Sequence, residues 1–178
     1  MSGVTVLRVD HVMTRLTIAT GIPFEDFRAA MEQAVPTFDP TPYMNIVRTS
    51  GTWTDVEAEV AASAPYGLLR YAVIEATPLM ELAGHTGHAV EYLIGNHVIA
   101  ETMYRLDRAA LLYAPLRVLL LSDDAGDAVF AIDQPSTVFA GLDDPGTAAT
   151  GVLLDRKVAL MLRGIGVAIS DDLTPSDG

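Results

Sequence analysis

The chain contains no cysteine. Disulfides, thiolate metal sites, a cysteine nucleophile and cysteine-held iron–sulfur clusters are therefore excluded. Any metal must be held by histidine, carboxylate or methionine. Positive charge is also scarce: 11 Lys and Arg stand against 23 Asp and Glu, a net charge of −12, with no local basic patch. Such a molecule repels phosphate backbones and anionic lipid, so neither nucleic acid nor a membrane is expected as a partner. Long uncharged apolar runs are missing too, and the opening MSGVTVLRVDHVM lacks a basic region followed by an apolar block. The chain reads as cytoplasmic. It has no phosphate-binding glycine loop, no dinucleotide fingerprint and no Gly-x-Ser-x-Gly elbow, which argues against nucleotide cofactors and a serine triad.

What is plentiful is apolar surface. Half of the 178 residues are hydrophobic and only 19% are charged, with a mean hydropathy of +0.31. A chain of this length most simply forms one domain and buries roughly 70% of its unfolded surface. The hydropathy exceeds what an ordinary core needs, and a subunit interface accounts for the surplus.

Periodicity supplies the elements. Residues 11–20 alternate Leu16 and Ile18 against Arg15 and Thr17, a strand with one apolar face. Pro23 suits a helix start, and Phe24, Phe27, Met31 and Ala34 recur at helical spacing until Pro36. Residues 36–51, rich in proline and small polar residues, predict a long loop. Thr52 caps a short helix that opens on Trp53, expected as a buried anchor. Residues 68–75 and 89–94 predict the second and third strands, with Thr77-Pro78 starting a short helix between them. Asn96 is the N-cap of a helix with Ile99, Met103 and Leu106 inward, and Asp107 caps one further turn.

Residues 116–122 and 128–134 predict a hairpin. With Ala125-Gly126 as a two-residue turn, Leu121 faces Phe130 and Leu119 faces Ile132, and Arg117 and Asp133 point to opposite faces. Both faces of the hairpin are then largely apolar. Residues 135–143 read as irregular. Asp144-Pro145 is a cap and first helical position, and 152–165 is a long amphipathic helix striped by Leu154, Val158, Met161 and Ile165. The expected architecture is α+β: a single two-layer domain over 1–169, with a mixed or antiparallel sheet of about five strands and helices packed on one face. Residues 170–178 read as a disordered acidic tail.

Tyr92-Leu-Ile-Gly-Asn96, the amphipathic helix after it, Leu111-Leu-Tyr-Ala-Pro-Leu-Arg117-Val and Ala131-Ile-Asp133-Gln-Pro-Ser136 together resemble the bacterial and archaeal family known as domain of unknown function number 302. The resemblance covers 89–165, with 11–35 matching where that family begins. It implies a small α+β domain with a tendency to dimerise, and it carries no activity. The chain departs from the family pattern in a longer 36–88 and in His97, where many relatives have proline.

Candidates for chemistry cluster near the histidines. His85, His88 and His97 lie within thirteen residues, with Glu91 and Glu101 among and beside them. His97 and Glu101 share a helix face, an acceptable ligand pair. Against convergence, an extended strand from His88 to His97 spans roughly 20 Å. A metal on His85, His88, His97 or Glu101 is a weak expectation, as is haem with a histidine or Met103 as axial ligand; no cofactor is the default. Asn96, Tyr113, Arg117 and Asp133 complete the candidate ligand-binding residues, although capping, packing and ion pairing also account for them. Three functional readings follow. The first is a homodimer binding a small, largely apolar molecule between sheet and helices or at the dimer interface. The second is a His/Glu enzyme, metal- or haem-dependent, and the third a structural or interaction protein.

Overall fold

The structure, a computed structural model, describes residues 3–173. Its centre is a five-stranded antiparallel sheet in the order β1-β5-β4-β3-β2. The strands are β1 (Arg15–Pro23), β2 (Leu69–Glu75), β3 (Ala89–Gly95), β4 (Leu116–Ser122) and β5 (Asp127–Asp133). The inner face presents Val90, Tyr92 and Ile94 from β3, Val118 and Leu120 from β4, and Phe130 and Ile132 from β5, all buried. Period-two alternation puts these residues on one side, and removing them from water drives the layer together.

Against that face pack α1 (Phe24–Ala34), α5 (His97–Tyr104) and α7 (Pro145–Gly164). Helix α1 buries Phe24, Phe27, Met31 and Ala34, the stripe that its spacing predicts. Helix α7 is capped by Asp144, whose carboxylate accepts from the amides of Gly146 and Thr147, and it runs unbroken to Gly164, one residue short of the expected end, to bury Leu154, Val158 and Met161. In α5, Ile99 and Met103 face inward as expected, whereas Leu106 lies beyond the helix and is exposed. Asp107 caps a 3-10 turn, Arg108–Leu112.

Two expected loops are helices. Pro40–Arg48 is α2, capped by Asp39, whose Oδ1 accepts from the Thr41 amide at 2.8 Å. Two of the three prolines that suggested a loop, Pro40 and Pro42, occupy the first turn, where a helix needs no N–H. Pro135–Phe139 is a short α6, again opening on proline. Helix α3 (Trp53–Ser63) carries the capping box of Thr52 and Asp55. Trp53 is not the buried anchor expected, being 44% exposed at the start of that helix. Thr77 opens α4 (Thr77–Leu82) as its first residue, not as its cap, and bonds Ala89 across to β3.

The β4–β5 hairpin differs from expectation by one residue. Leu120 faces Phe130 and Val118 faces Ile132. Asp123 and Asp127 close a three-residue loop in which the Asp123 carboxylate accepts from the amides of Ala125 and Asp127, and Gly126 takes a φ of 88°. The side-chain anchor on Asp123 and the left-handed glycine select this loop over the two-residue turn. The slip sends Leu119, Leu121, Val129 and Ala131 to the outer face of the sheet, together with both Arg117 and Asp133. Neither hydrophobic cluster includes those four apolar residues.

The first four residues of the expected tail form a turn that buries Leu173; residues 174–178 lie outside the described residues. No described helix is long and apolar enough to cross a membrane.

Candidate functional site

The site begins where β3 ends. Gly95 and Asn96 turn the chain into α5, and Asn96 is engaged on both sides of its amide. Its Oδ1 accepts from the amides of Val98 and Ile99 at 2.8 and 3.1 Å, and its Nδ2 donates to the Gly67 carbonyl at 2.9 Å. That double anchor fixes the direction in which α5 leaves the sheet. Below it opens an apolar cavity of about 260 Å³. Ile99, Ala100 and Met103 of α5 form one wall, Leu111 and Pro115 of the connection form another, and Leu116 of β4 and Leu154 of α7 form the floor. Scaling from the ~150 Å³ cavity that admits benzene, this space holds roughly ten non-hydrogen atoms, fewer than a porphyrin contains. No carboxylate lines it.

Its polar rim is made by His97 and Tyr71. The Tyr71 hydroxyl and His97 Nδ1 are hydrogen-bonded at 2.9 Å. Tyr71 reaches this position because it is the extra residue of a β-bulge: Arg70 pairs with Ile94 and Ala72 with Leu93, leaving Tyr71 outside the ladder. Phe38 stacks on Tyr71 with ring centroids 4.7 Å apart and meets His97 at 4.9 Å, while Tyr43 meets His97 at 5.4 Å. Phe38 is held in place by a backbone pair to Arg70, Phe38 N–H donating to its carbonyl and Arg70 N–H to that of Pro36. Burial pushes the His97 pKa below its ordinary value and so favours the neutral ring. Burial, with a smaller contribution from Tyr43, pushes the Tyr71 phenol well above its usual range. At neutral pH the pair is uncharged.

The other candidates lie elsewhere. His85 and His88 are exposed at the opposite end of β3 from His97, His88 stacking on Phe24 at 4.7 Å. Glu101 turns to Arg105 at 3.9 Å. Glu91 pairs with Arg117 at 3.4 Å, and Asp133 with Arg15 at 3.1 Å, all on the outer sheet face. Tyr113 packs edge-on against His11 and Phe139. Of the nine candidates the cavity thus brings together Asn96 and His97. Among the described residues no three His, Asp or Glu side chains gather as metal ligands.

Sequence reading missed Phe38, Tyr43 and Tyr71, because only the α2 helix and the β2 bulge bring them to His97. It also missed Asp155. This α7 carboxylate is 3% exposed, accepts from the Ser136 amide at 3.0 Å and from Gln134 Nε2 at 3.1 Å, and so caps α6. Burial pushes its pKa up, against those two hydrogen bonds. A second, partly buried network joins the wholly buried Tyr92, whose hydroxyl donates to Glu32 at 2.8 Å, to Arg28 and Arg70. Burial alone would raise the Glu32 pKa, but the Tyr92 hydrogen bond and the two arginines override it and hold the carboxyl below its usual value.

No family model matches the chain, and no curated protein does. Among solved structures it is similar to the crystal structure of an uncharacterized conserved protein, DUF302, from Bacillus stearothermophilus. The TM-score is 0.60 over 85% of this chain and 97% of that one, at 10% sequence identity. The chain therefore has a DUF302-like α+β fold, the one that residues 92–96, 111–118 and 131–136 imply.

Proposed function

We propose that this protein binds a small, mostly apolar molecule in the cavity between α5 and the sheet, and that it does so as a homodimer. One observation carries the first part: a cavity of about 260 Å³ with aliphatic walls and a His97–Tyr71 rim. Such a space without an occupant costs packing energy that side chains of ordinary size would recover, so a site kept open by Ala100 and by the bend at Pro115 favours a ligand. Dimerisation is supported by the outer sheet face, where Leu93, Leu119, Leu121 and Val129 lie outside both helix-packed clusters between the Arg15–Asp133 and Arg117–Glu91 pairs.

The cavity reading is tested by thermal melts with acetophenone and α-methylstyrene, planar molecules of about the right size. A ligand at ten times its Kd adds about 1.4 kcal/mol, or roughly 3–5 °C in Tm. We expect such a rise in the natural protein and its loss in Ala100→Phe, which fills the cavity. The absence of any rise with both probes would contradict the reading.

A further inference from the structure

The hydrogen bond between Tyr71 and His97 settles which face the imidazole offers. At 2.9 Å one partner must donate to the other. If His97 Nδ1 carried the proton, the Tyr71 hydroxyl hydrogen would be left without a protein acceptor: no other hydrogen bond to that hydroxyl exists among the described residues, and the neighbouring Tyr43 hydroxyl, itself buried, makes none. An unpaired O–H in this aromatic surround is costly. Tyr71 therefore donates, Nδ1 accepts, and a neutral His97 carries its proton on Nε2. That N–H has no protein partner among the described residues, and His97 lines the cavity. Asn96, another polar group there, is largely committed elsewhere: its Oδ1 accepts from Val98 and Ile99, and its Nδ2 donates one hydrogen to Gly67.

On the reading of this cavity as a ligand site, we infer that its ligand is an apolar molecule bearing one neutral hydrogen-bond acceptor, a ketone, aldehyde or ester carbonyl, which receives the His97 Nε2–H. A carboxylate is disfavoured, since no cation faces the cavity and the chain carries a net charge of −12. Tyr71 acts as a positioning residue: it holds the tautomer and need not touch the ligand.

Matched probes test this. Acetophenone and α-methylstyrene differ by a carbonyl oxygen in place of a methylene, and indole offers only an N–H donor. One net hydrogen bond corresponds to roughly a three- to tenfold preference, so the expected order of affinity is acetophenone, then α-methylstyrene, then indole. In Tyr71→Phe the tautomer is released and the gap between acetophenone and indole narrows. Nitrogen-15 NMR of His97 in the unliganded natural chain gives an independent readout, with the Nε2–H tautomer expected. Equal binding of acetophenone and α-methylstyrene, or an Nδ1–H tautomer, overturns the acceptor inference while leaving the cavity reading standing. Binding of none of the three probes overturns both.

Discussion

At the scale of single residues, the setting of His97 makes stability depend on pH. Burial lowers its pKa, so between that lowered value and about 6.5 the unfolded chain binds more protons than the folded one. The contribution of His97 to stability is therefore fully present above about pH 6.5 and is lost as the pH falls toward the folded value. Tyr71, which faces it, is a phenol that burial pushes further above this window. Urea unfolding midpoints at pH 7.5 and pH 5 should fall further for the natural protein than for His97→Phe. Equal falls would place His97 in solvent. The sequence pointed to His97 and to the Asn96 cap because both act through local spacing. It could not point to Asp155: an Asp-Arg-Lys triplet in a helix reads as a solvated face, and only the return of 134–136 across α7 turns that carboxylate inward.

Elements were legible where their own periodicity decides them. Helix α1, strand β3 and helix α7 each carry an apolar stripe matched to one partner layer, and the structure seats those stripes as written. Legibility failed where two signals compete. Proline marks loops but also helix first turns, and in Asp39-Pro40 the cap preceding it was the deciding residue. In the hairpin, the Asp123 side chain adds one residue to the loop and reverses which leucines face the core. The close approach of α6 and α7 was invisible for a similar reason. Gly151 sits mid-helix, and a Cβ there would lie 2.8 Å from the Pro135 carbonyl oxygen and 2.9 Å from Ser136 Cα. Both obstacles are backbone, so Gly151→Ala must push α6 off α7. Although alanine is the better helix former, we expect a loss of about 1–3 kcal/mol, read as a lower thermal midpoint. A neutral or stabilising effect would show that the two helices do not pack this closely.

For the whole molecule, the corrected register matters more than any single contact. It gathers Leu119, Leu121 and Val129 on the sheet face away from the helices, beside Leu93. If two copies join through that face, sedimentation gives twice the 19.0 kDa chain mass, and Leu119→Arg returns it to the single-chain value with the fold intact by circular dichroism. A Leu119→Arg protein that remains dimeric would move the interface elsewhere. The same layer arrangement leaves the cavity on the opposite side, between α5, α7 and the sheet end, so the proposed ligand site and the proposed interface are different surfaces.

The central claim, a small apolar ligand beneath α5, is tested most directly by methyl NMR of the methionines during titration with acetophenone. Met103 lines the cavity, while Met31 and Met161 are buried elsewhere in the core. The account predicts that the Met103 methyl resonance moves saturably and that those of Met31 and Met161 stay in place. No movement of Met103, or equal movement of all three, would contradict it.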